Sequence, residues 1–277
     1  MKLINRIILF ILINIATAGN VLIAQHSEKE SHPGKFYTVN KNYDDSNLDG
    51  YNLYVPNSCT NDSKAFPLIV FLQGGLGVGG KVDAIFNWEL PKALKETKGL
   101  KNELDSLKLN TFIYVMPHIS RGQFYTNEEA IKNVIEEVSA NYNVDTQRIY
   151  LTGLSRGGHG TWGLASRMSN TFAAIAPIAG ASHGIQDYEN LTGIPILTAH
   201  NIADKVVRYD RTKNTIESIE EKSNKRFHVA KTISEIDYEN NDLIFISGED
   251  EQKGHNAWTD VYNSTNFYKW LLRFDKK

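Results

Sequence analysis

The chain has 277 residues, of which 41% are hydrophobic and 22% are charged, and its formal net charge is −2. This length and composition suit one large globular domain or two small ones. Because there is no excess of basic residues, nucleic acid and an anionic membrane are not expected as partners. The single cysteine, Cys59, excludes an internal disulfide.

Residues 1–24 are typical of an export signal peptide. Lys2 and Arg6 give a positive start, residues 7–13 are wholly apolar, and Leu-Ile-Ala at 22–24 resembles a small-residue cleavage site. The apolar run is shorter than the ~20 residues that a membrane span needs. We therefore expect an exported protein, periplasmic or extracellular, with no stable membrane insertion after the signal is removed. Residues 25–277 would then form a single catalytic domain.

Along the chain, short apolar runs alternate with helical patterns. Strands are predicted at residues 51–55, 67–72, 111–116 (closed by Pro117), 149–152, 173–178, 194–198 and 243–246. Helices are predicted at residues 85–98, from Asn127, from Arg156, at 211–221 and at 267–274. This alternation implies an α/β fold with a mostly parallel central sheet and helices on both faces. Residues 227–241 fit neither pattern and suggest an insertion near a site.

The strand at 67–72 runs into Gln-Gly-Gly-Leu-Gly-Val-Gly-Gly at residues 73–80. So many glycines are incompatible with the interior of a strand or helix, so this segment is a loop with an exposed or contorted backbone. A phosphate-binding loop would end in Lys followed by Ser or Thr, but here Lys81 precedes Val82. The sequence therefore implies no phosphate site and no cofactor.

The segment from Arg148 to Trp162 joins a buried strand to a helix through Gly-Leu-Ser-Arg-Gly, a G-x-S-x-G match. A strand, a one-residue turn and a helix are the context that a nucleophile elbow requires. The turn strains the backbone at the serine, and Gly153 and Gly157 lack the Cβ atoms that would collide with it. We predict that Ser155 is a nucleophile whose hydroxyl lies above the sheet edge.

A serine nucleophile needs a base and a carboxylate that orients the base. Ligands of a doubly wound sheet bind at the carboxyl ends of its strands, so these partners should follow later strands. Asp204 follows the strand at 194–198, and His255 follows the strand at 243–246. The order Ser155, Asp204, His255 is that of the α/β-hydrolase plan. The other candidates are Asp210, Asp237 and Asp250 for the acid, and His118, His159, His183, His200 and His228 for the base.

The oxyanion of the acyl-transfer intermediate needs N–H donors that are already in position. One donor is expected from the backbone of Arg156, at the N-terminus of the elbow helix. The second is expected from the glycine-rich loop, where Gly75 and Leu76 are the candidates. The histidines include no close pair at ligand spacing, so no metal site is predicted. His118 and His183 also follow strands and are candidates to line the pocket, whereas His200 is expected to brace a turn.

Residues 148–182 resemble the secreted esterase branch of the α/β-hydrolases, through Gly-Leu-Ser-Arg-Gly-Gly-His-Gly-Thr-Trp and Phe-Ala-Ala-Ile-Ala-Pro-Ile-Ala-Gly. These are the feruloyl- and acetylxylan-esterase-like proteins, often labelled predicted peptidases of the prolyl oligopeptidase type. Gly-His-Asn-Ala-Trp at 254–258 and the closing Trp-Leu-Leu resemble the C-terminal histidine motif of that group. The resemblance covers about residues 51–274. It implies the α/β-hydrolase fold and the roles given above to Ser155, Asp204 and His255.

The chain departs from the pattern of this group at two positions. Gln73 stands where the group usually has a histidine before the oxyanion-loop glycine, and Asn201 stands where its acid loop usually has a glycine. Glutamine still donates and accepts hydrogen bonds, and asparagine tolerates a left-handed backbone. We expect both loops to keep their shape.

Together these features predict an exported serine esterase that removes acetyl or hydroxycinnamoyl groups from polysaccharide through an acyl-enzyme. Its partner would be a small-molecule or polysaccharide ester, and Phe124, Tyr125 and Trp258 are candidates to contact a sugar or an aromatic acid. A serine peptidase would use the same three residues. A third hypothesis is a carbohydrate-binding hydrolase homologue with little turnover, which only Gln73 favours.

Overall fold

The computed structural model of the chain describes residues 23–26, 32–60, 64–77 and 79–276. The predicted export signal at residues 1–24 therefore lies almost wholly outside the described residues. Within the described part, a ten-stranded sheet forms the centre of the fold and helices cover both of its faces. None of the helices in these ranges is long and apolar enough to cross a membrane.

The strands run in the order β1-β2-β3-β5-β4-β6-β7-β8-β10-β9 across the sheet. Their bounds are β1 (Ile23–His26), β2 (Gly34–Asn40), β3 (Leu48–Pro56), β4 (Phe66–Leu72), β5 (Ile113–Ile119), β6 (Val144–Leu154), β7 (Ala174–Ile178), β8 (Ile196–Asn201), β9 (His228–Ala230) and β10 (Leu243–Gly248). The pairs β1–β2, β2–β3 and β3–β5 are antiparallel. Every pair from β5–β4 to β10–β9 is parallel, so the sheet is mostly parallel, as predicted.

The helices divide between the two faces of the sheet. Their bounds are α1 (Glu89–Glu96), α2 (Glu103–Asn110), α3 (Glu128–Asn141), α4 (Arg156–Arg167), α5 (Tyr209–Ser223), α6 (Trp258–Tyr262) and α7 (Thr265–Leu271). Apolar side chains of α3, α4 and α5 pack on one face, and those of α1, α2, α6 and α7 pack on the other. In β4, Leu68 and Val70 enter the first core, whereas Ile69 and Phe71 enter the second. Alternate residues of a strand point to opposite faces, so a strand covered on both faces is apolar throughout.

Three predicted elements differ from the structure. Strand β5 continues through Pro117, which was predicted to close it. Beyond Val115, β5 pairs only with β3, so a residue without an N–H is tolerated there. The helix predicted at 85–98 is a 3-10 helix (Val82–Asn87) followed by α1. Residues 227–241 are not an insertion near the site, because they form the edge strand β9 and a 3-10 helix with Ile233 in the core.

Strand β2 and helix α2 were not predicted. Helix α2 buries only Lys108 and Leu109, so its apolar residues do not recur at a helical spacing that the sequence could reveal. The ammonium of Lys108 donates to the side chain of Asn263 at 3.1 Å, which ties α2 to the C-terminal part of the chain.

Candidate active site

Ser155 occupies the turn between β6 and α4, since β6 ends one residue before it and α4 begins one residue after it. Its backbone has φ 53° and ψ −116°, a conformation that residues with a side chain rarely adopt. The glycines make this turn possible. A Cβ on Gly157 would lie 1.9 Å from the carbonyl oxygen of Leu72, and one on Gly153 would lie 2.6 Å from the carbonyl oxygen of Gly157. The collisions predicted from the sequence therefore involve backbone atoms that have little freedom to move.

The structure brings Ser155, His255 and Asp204 together. The Ser155 Oγ lies 2.9 Å from the Nε2 of His255, and the Nδ1 of His255 lies 2.6 Å from the Oδ2 of Asp204. Ser155 follows β6, whereas Asp204 and His255 lie in the loops after β8 and β10, all at the carboxyl ends of parallel strands. Such a chain of contacts can move a proton from a hydroxyl to an imidazole while a carboxylate holds the ring.

The carboxylate of Asp204 is buried and hydrogen-bonded at both oxygens. Its Oδ1 accepts from the backbone N–H groups of Val206 at 2.8 Å and Val207 at 3.0 Å. Its Oδ2 lies 3.0 Å from the Nε2 of His200, in addition to the contact with His255. Burial raises the pKa of Asp204, but hydrogen bonds from His255, Val207 and Val206 outweigh it, so the pKa lies below its usual value. Asp204 is therefore ionised at neutral pH.

The other candidate acids are engaged elsewhere. Asp210 pairs with the guanidinium of Arg208 at the surface. Asp237 accepts from the side chain of Asn240, and Asp250 accepts from the backbone N–H of Gln252.

Two candidate pocket histidines also lie elsewhere. His118 is fully buried, with its Nδ1 2.6 Å from the Oδ1 of Asp49. The ring of His183 packs edge-on against that of His159, with 4.8 Å between the ring centroids. Neither histidine borders the pocket beside Ser155.

A pocket opens beside Ser155 and His255. Its apolar walls come from Phe71, Leu76, Ile85, Trp88, Leu154 and Trp258. Of the three aromatic residues that the sequence offered as substrate contacts, only Trp258 lines this pocket, where its ring packs edge-on against His255 at 5.2 Å. Phe124 and Tyr125 instead pack on the glycines of α4, against Gly160 and Gly163.

The candidate oxyanion donors surround the same pocket. Gly75 and Leu76 border it and lie in a 3-10 helix (Gly75–Gly77) that begins shortly after β4. The N–H of Arg156 has no intrahelical acceptor, because Arg156 is the first residue of α4. The guanidinium of Arg156 donates to the carbonyl oxygen of Gly122. The close backbone approach expected of the glycine loop occurs at Gly74, where a Cβ would lie 2.8 Å from the Cδ1 of Leu154.

The two departures from the esterase pattern have clear positions. Gln73 is buried and lines the pocket. Asn201 does not adopt a left-handed conformation; it ends β8 with an extended backbone. Its Nδ2 donates to the carbonyl oxygen of Gly254 at 2.9 Å, which holds the loop next to His255.

Sequence reasoning missed Glu89 and Trp88, which line the pocket, and the contact of His200 with Asp204. Trp88 and Glu89 fall inside a stretch that the sequence describes only as helical, and no signal in it separates pocket residues from core residues. His200 does brace a turn, as predicted, through its contact with the carbonyl oxygen of Val207 at 2.9 Å. In the ranges that the structure describes, no group of three or more His, Cys, Asp or Glu is arranged to hold a metal ion.

No model of a known protein family matches the sequence. Solved structures do match the fold. The superposition with a thermostable esterase covers 92% of this chain and 63% of the esterase chain, with TM-score 0.61 and 20% identity. The superposition with a mutant of the feruloyl esterase module from Clostridium thermocellum, complexed with sinapinate, covers 94% of this chain and 96% of the module. The TM-score is 0.60 and the identity is 16%.

The superposition with an acetyl xylan esterase from Aspergillus awamori covers 85% of this chain and 99% of the esterase chain, with TM-score 0.61 and 14% identity. The chain has the α/β-hydrolase fold. The expected fold class, with its mostly parallel sheet and two helical layers, is therefore confirmed.

Curated relatives match shorter parts of this chain. The bifunctional acetylxylan esterase/xylanase of Neocallimastix patriciarum is 28% identical over 114 residues, which are 39% of this chain and 17% of that protein. The poly(3-hydroxyalkanoate) depolymerase C of Paucimonas lemoignei is 38% identical over 65 residues, which are 24% of this chain and 15% of that protein. The chain thus matches less than a fifth of the length of either relative. These matches confirm the resemblance to feruloyl- and acetylxylan-esterase-like proteins.

Proposed function

We propose that this α/β-hydrolase is an exported serine esterase in which Ser155, His255 and Asp204 hydrolyse carboxylic esters. The observation that carries the proposal is the contact chain from the Ser155 Oγ to His255 at 2.9 Å and from His255 to Asp204 at 2.6 Å. Ser155 also sits in the strained turn that exposes a nucleophile at the head of a helix.

In the proposed mechanism, the Nε2 of His255 takes the proton of the Ser155 hydroxyl as the Oγ attacks the ester carbonyl carbon. The oxyanion accepts hydrogen bonds from the N–H of Arg156 and from that of Gly75 or Leu76. The C–O bond to the alcohol then breaks, and His255 gives its proton to the leaving oxygen. A water molecule deprotonated by His255 attacks the acyl-enzyme by the reverse path, which releases the acid and restores Ser155.

The relatives support a proposal for the substrate class. Acetylxylan and feruloyl esterases are among the proteins that the chain resembles, so we propose that it removes acetyl or hydroxycinnamoyl groups from polysaccharide or from small esters. The basic and apolar start of the chain supports export to the periplasm or the medium, and the single catalytic domain would span residues 25–277.

The test compares the purified protein with its Ser155→Ala variant on p-nitrophenyl acetate, methyl ferulate and a peptide anilide. We expect ester turnover by the wild type and a loss on the order of 10⁶ in kcat in the variant. Ser169→Ala, just beyond the end of α4, is the matched control and should keep wild-type turnover. Cleavage of the anilide without the esters would indicate a peptidase. Failure of the folded protein to hydrolyse any of them would favour a binding homologue.

A further inference from the structure

Glu89 is the only acidic side chain that lines the pocket beside Ser155 and His255, among the residues that the structure describes. The Oε2 of its carboxyl group is inaccessible to solvent and makes no hydrogen bond with any of them. Burying a polar group without a partner costs free energy, so such groups are rare in folded proteins. A buried carboxyl oxygen without a partner in the wall of a pocket therefore points to a ligand group that would pair with it.

The backbone at Glu89 is unusual as well. Five non-glycine residues in the described ranges have positive φ, and two of them, Ser155 and Glu89, border this one pocket. The φ of Glu89 is 53°, in a region that residues with a Cβ seldom occupy. Strained backbone of this kind concentrates at functional sites, where it fixes the direction of a side chain.

The surroundings of Glu89 restrict what could pair with it. Trp88 and Trp258 contribute aromatic surface to the pocket, and Ile85 and Phe71 contribute aliphatic and aromatic surface. Burial raises the pKa of Glu89, so its neutral form is more accessible than that of an exposed glutamate. A hydroxyl group can pair with the carboxylate or with the neutral acid, whereas an ammonium ion requires the carboxylate and an anion is repelled by it.

We propose that Glu89 is a specificity-determining residue that accepts a hydrogen bond from a hydroxyl group on an aromatic substrate moiety bound between these walls. The inference rests on the proposed esterase function, because the pocket is identified as the substrate pocket by its position beside Ser155. Capping the hydroxyl with a methyl group removes the donor and leaves the carboxyl unpartnered, so the capped ligand should bind less well. An acetyl group carries no hydroxyl and gains nothing from Glu89.

The test measures binding and turnover separately. Ser155→Ala protein is titrated calorimetrically with methyl 4-hydroxycinnamate and with methyl 4-methoxycinnamate, and the ratio of the two Kd values gives the hydroxyl preference. We expect a preference of about tenfold, which is what one well-formed hydrogen bond contributes. Introducing Glu89→Leu into the same background should bring the ratio close to one. Glu89→Ala serves the same purpose if the leucine variant does not fold.

Glu96→Leu is the matched control, because Glu96 lies on the same helix with its side chain 66% exposed. It should keep the hydroxyl preference. A preference that survives in the folded Glu89 variant, equal binding of the two ligands, or no binding of either would overturn the proposal. Wild-type hydrolysis of p-nitrophenyl acetate is measured in parallel. If that turnover is present while the hydroxyl preference is absent, the proposal for Glu89 fails and the esterase function stands.

Discussion

The Nε2 of His200 lies 3.0 Å from the Oδ2 of Asp204, the same oxygen that faces the Nδ1 of His255 at 2.6 Å. The His200 side chain is fully buried, and its Nδ1 lies 2.7 Å from the hydroxyl of Thr212 on α5. A carboxylate oxygen with two imidazole neighbours has little freedom to rotate. His200 therefore helps to hold Asp204 in the orientation in which it meets His255.

Replacing His200 should affect turnover through Asp204. For His200→Gln we expect kcat to fall about tenfold, because the rigid ring that contacts the buried Asp204 carboxylate is replaced by a flexible amide. His228→Gln, on the edge strand β9, should leave kcat unchanged. An unchanged kcat in His200→Gln would show that His200 does not position Asp204.

Asp204→Asn tests the assignment of the acid. The amide oxygen can still accept from Val206 and Val207, so the loop should remain folded, but the amide cannot hold the imidazolium that forms during catalysis. We expect kcat to fall by a factor on the order of 10⁴. Asp210→Asn is the matched control, because Asp210 is a surface acid paired with Arg208. If Asp210→Asn proved the more damaging change, the assignment of the acid would be wrong.

Gly157→Ala tests the tight packing of the elbow. Alanine normally favours a helix over glycine, yet at this position its Cβ would lie 1.9 Å from the carbonyl oxygen of Leu72. We expect the free energy of unfolding to fall by roughly 3 kcal/mol or more, as for severe overpacking. Gly193→Ala, where a Cβ would meet no atom within 4 Å, should change it little. Urea denaturation of the two variants beside the wild type measures the difference, and equal midpoints would contradict the packing argument.

His159 should make the protein less stable in acid. Burial lowers the pKa of this histidine from 6.5 to about 4, while the unfolded chain keeps the ordinary value. Between pH 6.5 and 4 the unfolded state binds a proton that the folded state does not, so stability is lost as pH falls through this window. The full loss is roughly 3 kcal/mol.

His159→Gln retains an acceptor for the N–H of Ala181, which now bonds to the Nδ1 of His159 at 2.6 Å. The variant should therefore lose less stability than the wild type across the same pH window. Urea denaturation at the two ends of that window measures the effect. Parallel pH dependences for the two proteins would show that His159 does not titrate in this range.

Contiguous stretches of sequence determined much of the fold and the tight turn at Ser155. The apolar run of β4 and the helical spacing of α3 are each visible within one segment, because burial on one or both faces repeats at the period of the element. The elbow is equally local, since Gly153, Ser155 and Gly157 constrain the same turn. Strand ends also indicated Asp204 and His255, because the carboxyl ends of parallel strands converge on one edge of the sheet.

Only the tertiary structure decided which side chains meet. His118 and His183 follow strands as well, yet they contact Asp49 and His159 instead of the pocket, because a strand end does not fix the direction of the side chains after it. The contact between Ser155 and His255 joins positions 100 residues apart. Likewise, Glu89 at the start of α1 lines the same pocket as residues 73–76, which no local pattern indicates. Contacts of this kind depend on how distant elements pack, which periodicity within one segment does not record.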